Sequence, residues 1–192
     1  MNWLLTPFWN LTAFFAGKGK PKNLDPNHIP GQMKRILATI QGAEIHHEID
    51  ATGYETAIWT ADMDIDCDGT GGNPFHDPYF QPHTSYKPDL HAEEVPFVVV
   101  PPIVIKGTVG IVMGSLVEVE NLRNGKTAFA VVGDSGPTHK VGEGSPALAE
   151  LLGLSGNPNH GGTSDFIIRY KVHVGVPAVV NGVTYKLQAY RP

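Results

Sequence analysis

Leu116-Val-Glu-Val-Glu-Asn-Leu-Arg-Asn-Gly125-Lys-Thr-Ala-Phe-Ala-Val-Val-Gly133-Asp-Ser-Gly-Pro137 reads as two strands joined by a turn. The strand-forming runs are Leu116–Asn121 and Thr127–Gly133, and Asn124-Gly125 between them is the strongest short hairpin cue a sequence offers. A helix follows closely. Ser145 suits the N-cap, Pro146 the first helical position, and Ala147-Leu-Ala-Glu-Leu-Leu152 are strong helix formers. Gly153 then stands where a helix-ending glycine belongs. The order of parts is strand, turn, strand, polar loop, short helix.

Outward from this stretch, further strand-like runs occur at Glu55–Met63, Val95–Val100, Val109–Met113, Asp165–Val172 and Val183–Arg191. Met33, Ile36, Leu37 and Ile40 recur at helical spacing and predict a short helix over Gln32–Ile40. With Gly 22 and Pro 16 in 192 residues, the chain favours many turns and short strands over long helices. The fold class is mainly β with one or two short helices. Residues 31–192 form one domain, and residues 1–30 are an N-terminal arm and linker.

Charge and cysteine usage narrow the function classes. A net charge of -5 supplies no basic field for nucleic acid. Cys67 is the single cysteine, so no internal disulfide forms. The apolar start, Met1 to Phe15, is interrupted by Pro7 and precedes its lysines, Lys18, Lys20 and Lys22. That is the wrong order for a secretory signal, and the run is too short to span a bilayer. A monomer with no stable membrane span is the expectation.

Two carboxylates bracket the loop between the hairpin and the helix: Asp134 in Gly133-Asp-Ser-Gly136 and Glu143 in Gly142-Glu-Gly144. Flanking glycines leave room for a substrate to approach closely. Glycosidic hydrolysis needs such a pair, one acid to protonate the leaving oxygen and one carboxylate to activate water or attack. The same residues also make ordinary turn chemistry, in which an Asp bonds its own backbone. On the catalytic reading, Glu143 lies near the positive end of the helix, a field worth ~0.3–1 kcal/mol that favours its ionised form and a base role. Asp134 leaves an apolar strand, where desolvation raises its pKa and suits it to be the acid.

A second acidic feature is Asp62-Met-Asp64-Ile-Asp66-Cys-Asp68-Gly69. On a strand its four aspartates share one face while Met63, Ile65 and Cys67 face the core. Such a face wants cations: amino groups of a cationic polymer in a groove, or a metal. Asp64, Asp66, Asp68 and Gly69 match the start of a Ca²⁺ loop, but Phe75 occupies the position of the closing Glu. A solvated or internally bonded face is the third reading. The adjacent His46 and His47 point to opposite strand faces and cannot share a metal. The expectation is no metal and no cofactor. Trp59, Tyr79, Phe80 and Tyr86 are aromatics that either stack on sugars or fill the core.

Several of these segments together resemble glycoside hydrolase family 75, the chitosanases. They are Asp62–Gly69, Asp77-Pro-Tyr-Phe-Gln81, Ala92-Glu-Glu-Val-Pro-Phe-Val-Val99, Ala130–Pro137, Val141-Gly-Glu-Gly-Ser145 and Ala147-Leu-Ala149. The likeness implies endo-hydrolysis, with inversion, of the β-1,4 linkages of a glucosamine polymer. The family's Asp and Glu fall on Asp134 and Glu143, with Asp62, Asp64, Asp66, Asp68, Tyr79 and Gln81 as substrate-binding residues. It also implies secretion, although no clear signal is present. Gly114–Gly125 through Pro137 and Leu148–Gly153 further resemble barrels of the rare lipoprotein A and expansin type, which implies a six-stranded double-psi β-barrel with extra strands and loops. The competing functions are a peptidoglycan-acting enzyme of the same barrel and a non-catalytic polysaccharide-binding or wall-loosening module.

Overall fold

A computed structural model describes residues 33–190. The arm at 1–30 and residues Gln32 and Arg191 lie outside the described residues. The hairpin that organises the sequence is present as β5 (Ser115–Asn121) and β6 (Lys126–Ser135), antiparallel from Leu116↔Val131 to Asn121↔Lys126. Gly125 adopts φ 72°, and its N–H donates to the Asn121 carbonyl at 2.8 Å. Asn124 caps the turn by accepting from Lys126 N at 2.9 Å, and its amide donates to Leu152 O at 3.0 Å.

The remaining strands are β1 (Met33–Ile40), β2 (Ala43–Ile49), β3 (Glu55–Ile65), β4 (Phe97–Val100), β7 (Glu143–Gly144), β8 (Thr163–Pro177), β9 (Val179–Val180) and β10 (Val183–Thr184). Six of them close into a ring, β3-β7-β4-β6-β5-β8, with β8 returning to β3. Two ladders, β3/β7 and β4/β6, are parallel and the others antiparallel. Closure removes the exposed edges that an open sheet would leave. β1 and β2 extend the ring as a hairpin attached to β3, and β9/β10 form a separate small ribbon. Alternation fills the interior: Val117 and Val119 point in while Glu118 and Glu120 point out. Trp59 and Tyr170, both fully buried, stack at 5.3 Å across β3 and β8.

The expected helix over Gln32–Ile40 is instead strand β1. Its pairing with β2 shifts register between Ile36 and Ala38. A bulge there breaks the two-residue alternation, so the apolar residues fall at spacings that mimic a helix. The connection is a two-residue turn with Gln41 at φ 51° and Gly42 at φ 85°, the geometry that suits hairpins. The strand expected at Val109–Met113 is a turn plus one isolated bridge, Met113 to Gln188. That expected over Val183–Arg191 shrinks to the two residues of β10. The helix α1 (Pro102–Gly107), missed in the sequence, sits where two prolines end β4.

The predicted helix is α2 (Pro146–Leu151), with Pro146 at its start and Gly153 at φ 76° beyond its end. The buried Ser145 hydroxyl does three things: it accepts from Leu148 N at 3.3 Å and Phe97 N at 3.0 Å, and donates to Val95 O at 2.8 Å. It thus ties the helix to β4. Replacing Ser145 with Ala strands three backbone groups in the interior and should cost about 2 kcal/mol of stability. Urea denaturation reads this directly; an unchanged midpoint would mean that water satisfies those groups.

Candidate functional site

β4 positions both bracketing carboxylates. Val99 is the register partner of Asp134 on β6 at one side and of Glu143 on β7 at the other. Register partners point to the same face of a sheet, so the two acids look the same way, two inter-strand steps apart. Both line one open cleft of about 1440 Å³, together with Val99 itself.

Asp134 is buried, and burial raises its pKa above the ordinary carboxylate value. Hydrogen bonds oppose that push without cancelling it. Its Oδ1 accepts from Ser85 N at 3.0 Å, Ser85 Oγ at 2.5 Å and Ser135 N at 2.6 Å. Ser85 is brought there by Tyr86, whose N–H donates to the Gly133 carbonyl at 3.0 Å. Nothing in the sequence links Ser85 to Asp134, because the segment that carries it has no regular structure of its own. Glu143 is held differently. Its Oε1 pairs with Lys140 Nζ at 2.7 Å, a nearer cation than the helix end invoked from the sequence. A β-carbon on Gly136 would stand 2.9 Å from Glu143 Oε2 and 2.9 Å from Val99 Cγ1, so the loop passes where only glycine fits.

The acidic ladder is only partly a strand. β3 ends at Ile65, and the chain then turns. Asp64, Asp66 and Asp68 line the cleft, as do Tyr79 and Gln81. Asp62 is not among the residues that line it; its side chain lies where a β-carbon on Gly142 would clash. Asp64 sits beside Glu143 as its register partner on the parallel β3/β7 ladder. Asp66 Oδ1 accepts from Asp68 N at 2.8 Å, and Asp68 Oδ1 accepts from Gln81 N at 2.6 Å, which fixes this turn against the next loop. Asp66, Asp68 and Asp134 bring carboxylate oxygens within 4.8 Å of one another, a spacing at which hard cations are also held.

Crowding of like charge has its expected effect. Burial, followed by the charge of Asp68, pushes the Asp66 carboxyl up to about 8, and burial pushes Asp68 up to about 6. Of the aromatics, Tyr79 is 85% exposed at the cleft, while Trp59 and Tyr86 are core residues. His46 and His47 pair separately, with Glu44 at 3.1 Å and Glu55 at 2.8 Å. Among the described residues no helix is long and apolar enough to cross a membrane.

Known proteins share this arrangement of sequence. A family model described as fungal chitosanase of glycosyl hydrolase group 75 matches residues 63–189. Over 126 residues the chain is 34% identical to a protein named Endo-chitosanase C from Aspergillus oryzae, covering 62% of this chain and 32% of that one. It is 33% identical over 129 residues to the protein of the same name from a second strain, with the same coverage of both chains. The match therefore spans about a third of the length of these curated relatives.

The raised Asp66 makes a stability prediction. Folded, it keeps its proton up to about pH 8; unfolded, only up to about 3.8. Between those limits the folded state binds the extra proton, so this group's contribution falls as pH rises. Asp66→Asn should melt higher than the unaltered chain at pH 9, by several degrees at about 2–4 °C per kcal/mol, with the gap closing toward pH 4. A gap independent of pH would show that Asp66 is ionised throughout.

Proposed function

The chain belongs to glycosyl hydrolase group 75, and from that premise we propose that it is an endo-chitosanase cleaving β-1,4 linkages of glucosamine polymer with inversion. The observation that supports this best is the common register of Asp134 and Glu143 with Val99. Two inter-strand steps separate their backbones by roughly 9.5 Å. A backbone gap of that size leaves side chains room to hold their carboxyls about 6.5–9.5 Å apart, the separation of inverting pairs, rather than the about 5–5.5 Å of retaining ones.

Roles follow from surroundings. Asp134 has its Oδ1 engaged by three donors, which leaves Oδ2 for the proton that burial favours. It is the general acid and delivers that proton to the glycosidic oxygen. Glu143, paired with the Lys140 ammonium, is the general base and takes a proton from the attacking water. As the C–O bond lengthens, positive charge develops on the sugar ring, and the carboxylates around the cleft stabilise it.

The same carboxylates select the substrate. Asp64, Asp68, Asp77 and Glu143 face the cleft with Asp66 and Asp134, against the ammonium groups of Lys87 and Lys140. A polyamine is attracted into such a field, and its attraction weakens as salt rises. Tyr79, exposed at the rim, supplies a flat apolar surface for a sugar ring, and Gln81 a hydrogen-bonding group beside it. A substrate of this size places the enzyme's work outside the cell, and extracellular action is part of the proposal.

Asp134→Asn and Glu143→Gln should each lower kcat on soluble chitosan by about 10²–10⁴-fold, with much smaller changes in KM. Reducing-end release measures the rate, and proton NMR of the first products should show the α anomer. Full activity in either variant, or a β anomer as first product, would remove the mechanism. Retained binding without turnover in the unaltered chain would favour a non-catalytic module.

A further inference from the structure

Lys140 is one of two lysines, with Lys87, set into a cleft rich in carboxylates. It lies on the turn after Pro137, where its N–H donates to the Pro137 carbonyl at 3.3 Å, and it lines the cleft. Its Nζ bridges two acids, Glu143 Oε1 at 2.7 Å and Asp64 Oδ2 at 3.0 Å. Those acids are register partners on adjacent parallel strands, and like charges placed directly side by side repel. The ammonium between them converts repulsion into a three-centre bridge.

The Glu143 half of the bridge is better shielded from solvent than a surface ion pair, whereas the Asp64 side chain is 57% exposed. The Glu143 side chain is 14% exposed and that of Lys140 is 33% exposed. Burial alone would ease the proton off Lys140, yet the bonds to Glu143 and Asp64 outweigh it and hold the ammonium more firmly protonated. Around Glu143 stand Asp62, Asp64, Asp66 and Asp68 from β3 and the turn after it, Asp134 across β4, and the Tyr170 hydroxyl of β8. Among the described residues, Lys140 is the cation paired with Glu143. With Oε1 tied to Nζ and Oε2 against the backbone of Gly136, both carboxylate oxygens have defined places.

We propose that Lys140 is a positioning residue for hydrolysis, which sets the plane of the Glu143 carboxylate by bridging it to Asp64. The inference rests on the base role given to Glu143 above. Lys140 acts through the Glu143 carboxylate rather than on the substrate, by holding the base in one orientation.

The test compares Lys140→Met, which keeps length and removes charge, with Lys140→Arg, which restores charge. On a glucosamine hexamer, K140M should lose about 10–100-fold in kcat with KM changed by less than about threefold. K140R should recover most of the rate. A K140M variant with normal kcat overturns the proposal, as does a change confined to KM. A crystal structure of K140M gives a reading independent of turnover: a Glu143 carboxylate turned out of its place supports the bridge, and one unmoved overturns it. An inert unaltered chain would sink the chitosanase reading whatever the K140M structure shows, whereas an active one with an indifferent K140M sinks this inference alone.

Discussion

Everything in the site depends on one short strand finding its place between two others. β4 contributes only four residues, all buried, yet it bonds β6 in parallel and β7 in antiparallel fashion. Val99 is the point at which those two ladders meet the cleft. Because partners in a ladder face the same way, the side chains at 134 and 143 inherit a common direction from backbone hydrogen bonding alone. Ser145 reinforces the arrangement from below, since its hydroxyl bonds backbone groups at both Val95 and Phe97 while capping α2.

Electrostatics then work against that geometry. A ring lined with apolar residues is a poor solvent for carboxylates, and this one concentrates them at its mouth. Three devices hold the arrangement together, and each is visible at a named residue. Ser85 supplies two donors to Asp134. Lys140 places a cation between Asp64 and Glu143. Asp66 takes the remaining course and keeps its proton. The cleft is thereby preorganised for cations while avoiding the full cost of four ionised groups in contact.

Much of this was legible in the residues themselves. The Asn124-Gly125 hairpin and the Ser145-Pro146 helix start rest on local chemistry, a positive φ and a side-chain cap, and both stand as expected. The pairing of Asp134 with Glu143 at one cleft was legible from their glycine-flanked loop. What escaped depends on distant partners or on irregularity. The bulge in β1 disguised a strand as a helix, and a register shift between Ala61 and Met63 falls at Asp62, which lies off the cleft that Asp64, Asp66 and Asp68 line. Ser85 and Lys140 carry no periodic signal at all, since a loop position acquires meaning only from what the fold sets opposite it.

The interposition of β4 has a consequence for how the protein comes to life. Asp134 and Glu143 are near neighbours along the polymer, but the strand that separates and aligns them is made earlier, upstream of the entire β5/β6 hairpin. Local collapse of the 134–143 loop therefore leaves the two acids without their spacer. Only threading of Phe97–Val100 between strands translated later sets the two acids side by side on one cleft, so a half-assembled chain lacks that arrangement by construction. The alignment of the two acids and completion of the ring arrive as a single event.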